Sequence, residues 1–134
     1  RGKFKEALEV NRMSNPLPSV CARVCHHPCE NACRAGDTDE PIAIRALKRF
    51  VTDYERSNGG PSKVKPTEKK YEPVAIVGSG PAGLMAAWKL AKTGYDVTIF
   101  EAESVAGGML AWGIPSYRNR STSARKSISV AGWL

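Results

Sequence analysis

The feature that most constrains this chain is a glycine-rich turn between an apolar run and a helix-forming segment. The apolar run is Val74-Ala75-Ile76-Val77, and the turn is Gly78-Ser79-Gly80-Pro81-Ala82-Gly83, with the spacing G-x-G-x-x-G. A continuous apolar run is typical of a strand buried on both faces, and residues 81–93 favour a helix. Gly94 ends this helix, and residues 97–100 predict a second buried strand. The sequence therefore predicts a β-α-β unit.

Each glycine of the turn has a physical task in a dinucleotide-binding site. Gly78 permits the tight turn out of the strand, Gly80 lets the backbone approach a pyrophosphate, and Gly83 lets the helix pack closely on the strand. Phosphates are expected at the helix N-terminus, where free amides and the helix dipole favour negative charge.

An acidic residue, Glu101, follows the second strand. A carboxylate at this position accepts hydrogen bonds from adenosine ribose hydroxyls and repels a 2′-phosphate. A glycine turn in some other α/β protein is the alternative, but both strands, the helix and the acid accompany this one. The expected fold is thus the start of a Rossmann-like FAD/NAD(P)-binding α/β domain, incomplete because only two strands are evident.

Four cysteines, Cys21, Cys25, Cys29 and Cys33, form a C-x3-C-x3-C-x3-C run. A disulfide framework is disfavoured because the sequence has no secretory signal and carries a cytosolic type of cofactor motif. Zinc usually takes two closely spaced cysteine pairs separated by a longer loop, whereas dense cysteines in a redox protein favour iron–sulfur. Zinc stays open because a histidine of the His26-His27 pair can also bind it, although we expect both histidines in a solvent-facing loop. Arg23 and Arg34 are interpreted as solvated charges.

The remaining patterns divide the chain. A helix is expected over about residues 2–13, and a second one from Asp39-Glu40-Pro41 to about residue 57. The predicted apolar stripe of the second helix is Ala43, Leu47, Phe50 or Val51, and Tyr54. The predicted divisions are a helical cysteine-rich domain at 1–57, a linker at 58–72, a partial Rossmann unit at 73–118, and an atypical, disordered tail at 119–134.

The net charge of +7 raises the question of nucleic-acid binding. The excess lies in residues 63–70 and in the segment from Arg118 onward, without interleaved aromatic residues for base stacking. Nucleic-acid binding is therefore not expected. No apolar run has the length of a membrane span and no segment has the layout of a signal peptide, so we expect a soluble cytoplasmic protein.

Taken together, these motifs resemble the FAD-dependent pyridine-nucleotide oxidoreductases related to the glutamate synthase small subunit. Their N-terminal helical iron–sulfur domain is shared with dihydropyrimidine dehydrogenase. The resemblance spans about residues 2–118. It is carried by residues 15–18, 23–25, 28–30, 33 and 41–50 in the first part, and by residues 77–83, 101, 107–110 and 113–115 in the second.

The resemblance implies a fragment of an enzyme in which a hydride passes from NAD(P)H to FAD and single electrons leave through [4Fe–4S] clusters. The implied FAD-binding residues are Gly78, Ser79, Gly80, Pro81, Ala82, Gly83, Glu101 and Gly108. Cys25, Cys29 and Cys33 match the family's cluster ligands, with Cys21 ranked below them. The family also draws on cysteines upstream of the position of Arg1.

The resemblance places NAD(P)H in a second Rossmann domain outside this chain. It implies the remainder of the parent enzyme, or a large catalytic subunit, as the partner. No catalytic acid, base or nucleophile is expected in this chain, which is predicted to be inactive in isolation. The alternative is a non-enzymatic interaction module whose cysteines hold zinc or nothing.

Overall fold

The computed structural model describes residues 2–60, 68–115, 117–118 and 127–129. The chain forms two compact units, Arg1–Gly60 and Pro61–Leu134. This division falls within the linker predicted at 58–72, of which residues 61–67 lie outside the described residues.

The first unit is helical. It contains α1, α2, α3, a short 3-10 helix and α4, at Phe4–Ser14, Pro18–Val24, Pro28–Asn31, Arg34–Asp37 and Ile44–Ser57 respectively. Pro18 and Pro28 each occupy a first helical position, where the missing amide costs nothing and the fixed φ suits the helix. The cysteine segment is therefore folded into two short helices and a 3-10 turn.

Helix α4 packs against α1 and α2. The buried residues of these helices are Leu8 of α1, Pro18 and Ala22 of α2, and Thr52 of α4. Two ion pairs join the same helices: Arg12 of α1 contacts Glu55 at 2.5 and 2.6 Å, and Arg23 of α2 pairs with Asp53.

Three expectations for this unit are corrected. Helix α4 begins at Ile44 instead of near Asp39-Glu40-Pro41. Its predicted stripe faces the core only in part: Leu47 and Phe50 are 56% and 51% exposed, whereas Val51 is half-buried and the half-buried Tyr54 ring packs on Phe4 of α1. Arg23 is not a solvated charge, since its side chain is 12% exposed and paired with Asp53.

The second unit contains the predicted β-α-β unit. Its elements are β1, α5, β2, α6 and β3, at Pro73–Val77, Pro81–Lys92, Asp96–Phe100, Met109–Trp112 and Ser127–Ser129 respectively. Strand β1 pairs in parallel with β2, and β3 pairs antiparallel to β2. Strand β3 lies in the segment 119–134 predicted to be disordered, and the rest of that segment lies outside the described residues.

Helix α5 covers one face of this sheet. Ala87 of α5 forms the core with Val97 and Ile99 of β2, and Val74 and Ile76 of β1 pack against them. The opposite face is open: Val77 is 91% and Phe100 57% exposed. The expectation that both strands are buried on both faces is therefore wrong for the described residues, because α5 covers only alternate side chains of each strand.

Among the described residues, no helix is both long enough and apolar enough to cross a bilayer.

Candidate functional site

The glycine turn leads directly from β1 into α5 at the carboxyl ends of the parallel strands. Gly78 has a φ of +91°, a left-handed conformation that glycine adopts without strain. Its amide donates to the carbonyl oxygen of Phe100 at 2.8 Å, which ties the turn to the end of β2. The conformation at Gly78 agrees with the tight turn predicted there.

The other two glycines of the fingerprint differ in their surroundings. A Cβ atom on Gly80 would meet no atom within 4 Å, so the backbone is open to a ligand there. A Cβ atom on Gly83 would lie 2.1 Å from the carbonyl oxygen of Gly78, so α5 packs directly on the turn. Pro81 is the first residue of α5, and Ala82 follows it in the first turn, whose amides have no partner within the helix. The turn thus offers an accessible backbone and a helix N-terminus of the kind that binds phosphate.

The Glu101 carboxylate lies beside this turn and is held at both oxygens. Its Oε2 accepts hydrogen bonds from the amide of Ser79 at 2.9 Å and from the Ser79 hydroxyl, and its Oε1 accepts one from the amide of Glu103 at 3.0 Å. These hydrogen bonds, first that of the Glu103 amide and then those of Ser79, lower the pKa of Glu101 to about 2. The carboxylate is therefore charged and fixed in orientation at neutral pH.

Gly107 and Gly108, which precede α6, pack on the glycine turn. Gly108 has a φ of +51°, and a Cβ atom on it would lie 3.0 Å from the Cα atom of Gly80. The amide of Gly107 donates to the Ser79 hydroxyl at 2.9 Å. The loop before α6 therefore lies against the glycine turn, as expected if Gly108 lines the same site.

The four cysteines lie along one segment of the first unit, and all are free thiols. Cys21 is within α2, Cys25 follows its end, Cys29 is within α3, and Cys33 precedes the 3-10 helix. Within the described part of the chain, no three Cys, His, Asp or Glu side chains are grouped closely enough to hold a metal ion. The donor chemistry of the four thiols suits an iron–sulfur cluster.

Backbone amides approach two of the sulfurs. The amide of His27 donates to Cys25 Sγ at 3.3 Å. The amides of Ile42 and then Ala35 hydrogen-bond to the sulfur of Cys33 and lower the pKa of this thiol. Such hydrogen bonds stabilise a thiolate, and in iron–sulfur proteins they tune the cluster potential.

A residue that the sequence reasoning missed, Glu30, joins the cysteine segment to α4. Its Oε1 accepts from the amide of Arg45 at 2.7 Å, and the Arg45 guanidinium donates to the carbonyl oxygen of Cys25 at 3.1 Å. Its Oε2 lies 3.2 Å from Nδ1 of His27. His27 lies in the loop before α3 as expected, but its side chain is only 32% exposed because it lies against Glu30, whereas His26 is exposed. No local pattern signals the two contacts of Arg45, because they connect positions 15 and 20 residues apart.

Two protein-family models match the chain. Residues 1–60 match the model described as dihydropyrimidine dehydrogenase domain II, 4Fe-4S cluster, and residues 76–114 match that of the NAD(P)-binding Rossmann-like domain. Each match falls within one of the two structural units. The iron–sulfur interpretation of the first unit and the Rossmann interpretation of the second are confirmed at the level of the domain.

Curated relatives match across both domains. The NADP(+)-dependent formate dehydrogenase subunit beta of Moorella thermoacetica is 49% identical over 87% of this chain and 20% of its own length. The NADPH-Fe(3+) oxidoreductase subunit beta of Geobacter sulfurreducens is 45% identical over 96% of this chain and 19% of its own length. The glutamate synthase [NADPH] small chain of Bacillus subtilis is 41% identical over 88% of this chain and 24% of its own length. The chain spans about a fifth to a quarter of these relatives, each of which is a subunit or chain of an oxidoreductase.

Proposed function

We propose that this chain belongs to the pyridine-nucleotide oxidoreductases related to the glutamate synthase small chain. In this proposal it is the electron-transfer segment of an NAD(P)H-dependent flavin and iron–sulfur enzyme, as the matches of both domains support. The second unit binds the ADP portion of FAD, and the first supplies cysteine ligands to [4Fe–4S] clusters. Flavin accepts a hydride and clusters pass on single electrons, so the two cofactors together convert two-electron into one-electron chemistry. The protein's contribution is to bind and orient them.

The main support for nucleotide binding at this site is the position of Glu101 beside the glycine turn, whose backbone is open at Gly80. The carboxylate is charged, both its oxygens are fixed by hydrogen bonds, and it follows β2 at the same sheet edge as the turn. A fixed anion here accepts hydrogen bonds from the ribose hydroxyls and repels a 2′-phosphate. The remaining FAD-binding residues in this proposal are Gly78, Ser79, Pro81, Ala82, Gly83 and Gly108.

Equilibrium titration with FAD and ADP tests this site. We expect saturable binding of both. We also expect adenosine 2′,5′-bisphosphate to bind more weakly than AMP, from which it differs only in the 2′-phosphate. Glu101→Gln should weaken ADP binding by about 10-fold and reduce the discrimination against the 2′-phosphate, since one charge-assisted hydrogen bond contributes about 1.5–3 kcal/mol. Glu103→Gln is the matched control, because it removes an exposed carboxylate of the same loop and keeps the backbone amide. Equal affinities of the wild type for AMP and adenosine 2′,5′-bisphosphate would contradict the role of Glu101.

For the first unit, we propose that Cys25, Cys29 and Cys33 are cluster ligands and that Cys21 contributes less. Support comes from the domain match and from the amides that approach the sulfurs of Cys25 and Cys33. As the family resemblance implies, we infer that donors of the parent enzyme supplement these cysteines, which themselves bind iron and sulfide in the reconstituted chain.

Serine substitution tests this ranking. In chain reconstituted anaerobically with iron and sulfide, Cys25→Ser, Cys29→Ser and Cys33→Ser should each lower the bound iron, because the alkoxide is a poorer cluster ligand than the thiolate. Cys21→Ser should lower it less. Equal losses for all four would refute the ranking, and bound zinc in place of iron would favour the interaction-module alternative.

We further infer that NAD(P)H binds outside this chain and that the electrons serve the remainder of the parent enzyme or a large catalytic subunit. The relatives, named as subunits or chains of larger enzymes, support such a partner. We place the protein in the cytoplasm because reducing compartments keep cysteine thiols available as cluster ligands instead of pairing them as disulfides.

A further inference from the structure

The side chain of Ser79 stands at a variable position of the glycine fingerprint. It has no solvent-exposed surface. Its hydroxyl donates to Oε2 of Glu101 and accepts from the amide of Gly107 at 2.9 Å. The buried hydroxyl therefore uses both its donor and an acceptor site within the protein.

These contacts bring three segments of the second unit together. The turn supplies Ser79, the end of β2 supplies Glu101, and the loop before α6 supplies Gly107. The close approach of Gly108 to the Cα atom of Gly80 shows that the loop lies on the turn itself. The Ser79 hydroxyl lies where these segments meet.

We propose that Ser79 is a positioning residue of the nucleotide site, whose hydroxyl orients the Glu101 carboxylate toward the ribose and anchors the Gly107-Gly108 loop on the glycine turn. This inference rests on the proposed nucleotide site. It assigns Ser79 a role through its neighbours, because a side chain with no exposed surface does not itself reach the ligand.

The surroundings of Glu101 support this role. None of the ion pairs among the described residues includes Glu101. The groups that reach its carboxylate are the Ser79 hydroxyl and amide from the turn, and the amides of Ala102 and Glu103 from its own loop. Neutral donors, not a neighbouring cation, therefore hold the carboxylate, and the Ser79 hydroxyl is the one side chain among them.

The first test needs no ligand. Amide hydrogen exchange of the full chain, followed by NMR, should show the Gly107 amide protected in the wild type and exchanging at least about 10-fold faster in Ser79→Ala, because that amide loses its acceptor. The Gly78 amide, which donates to Phe100 in the sheet, should stay protected and shows that the unit remains folded. Ser104→Ala is the matched control, since it alters an exposed serine of the same loop.

The second test is a double-mutant cycle on ADP binding. Ser79→Ala alone should weaken ADP binding by about 10-fold, as expected for a lost hydrogen bond to a charged group. In the Glu101→Gln background the same change should cost less than about 2-fold, because Ser79 acts through the carboxylate. Losses that multiply, or wild-type affinity in Ser79→Ala, would overturn the proposal.

An isosteric pair keeps the test valid if Ser79→Ala does not fold. Ser79→Thr and Ser79→Val add the same methyl group and differ only in the hydroxyl. The threonine variant should bind ADP at least about 5-fold more tightly than the valine variant, and equal affinities would overturn the proposal. If the wild type protects the Gly107 amide yet binds neither ADP nor FAD, the proposed function fails while the hydrogen-bonded junction stands.

Discussion

Replacing Gly83 by alanine tests the geometry on which the second unit depends. The new Cβ atom would lie 2.1 Å from the carbonyl oxygen of Gly78 and 3.1 Å from its carbonyl carbon, both backbone atoms. Neither atom can rotate away as a flexible side chain does. Helix α5 must therefore move away from the turn by about 1 Å, which disturbs its packing on the sheet.

The expected magnitude follows from two opposing effects. Overpacking typically costs about 1–3 kcal/mol, and a backbone clash lies at the upper end of that range. Alanine returns about 1 kcal/mol through its better helix propensity. We therefore expect Gly83→Ala to lower the free energy of unfolding by about 2 kcal/mol, which for a unit of this size lowers Tm by roughly 10 °C.

Thermal unfolding followed by tryptophan fluorescence reports on this unit, because Trp88, Trp112 and Trp133 all belong to it. Gly80→Ala is the matched control, since its Cβ atom meets nothing within 4 Å. This control should unfold within about 0.5 kcal/mol of the wild type, yet bind ADP at least about 10-fold more weakly, because its methyl group occupies the approach of the phosphates. A Gly83→Ala variant as stable as the wild type would refute the packing argument.

Further predictions concern the helical unit and the carboxylate. Leu8→Ala should destabilise the helical unit by about 2–4 kcal/mol in denaturant unfolding, whereas Leu47→Ala, at a half-exposed position, should cost less than about 1 kcal/mol; equal costs would contradict the assigned core. The pKa of Glu101 is lowered from 4.5 to about 2, so its contribution to stability is present above pH 4.5 and lost as the pH falls toward 2. In Tm measurements against pH, Glu101→Gln should therefore reduce the fall in Tm over this acidic range. An unchanged fall would exclude the contribution. A double-mutant cycle with Arg12→Met and Glu55→Gln should give a coupling of about 1 kcal/mol that weakens with added salt, and zero coupling at low salt would show that this ion pair between α1 and α4 is not stabilising.

The parts of the structure that the sequence predicts best are those fixed by local chemistry. The glycine spacing predicted β1, α5 and β2 and their order, because only glycine suits the positive φ of Gly78 and the close packing at Gly83. The proline at the start of α5 and Gly94 after it marked that helix to within a residue of its observed ends.

Contacts between distant positions were not predictable in the same way. Acids next to Pro41 suggested an early start for α4. The helix instead begins at Ile44, and the amide of Arg45 in its first turn donates to the carboxylate of Glu30, 15 positions earlier. The sequence suggested a solvated charge at Arg23, because nothing local indicates that Asp53, 30 positions later, lies beside it. The burial of Ser79 likewise depends on a loop almost 30 residues away.

Anaerobic purification followed by iron, sulfide, zinc and flavin analysis tests the central claim most directly. The account predicts iron and sulfide in comparable amounts after reconstitution, together with FAD that is retained by the chain and displaced by ADP. Zinc in place of iron, or neither metal nor flavin under these conditions, would contradict it.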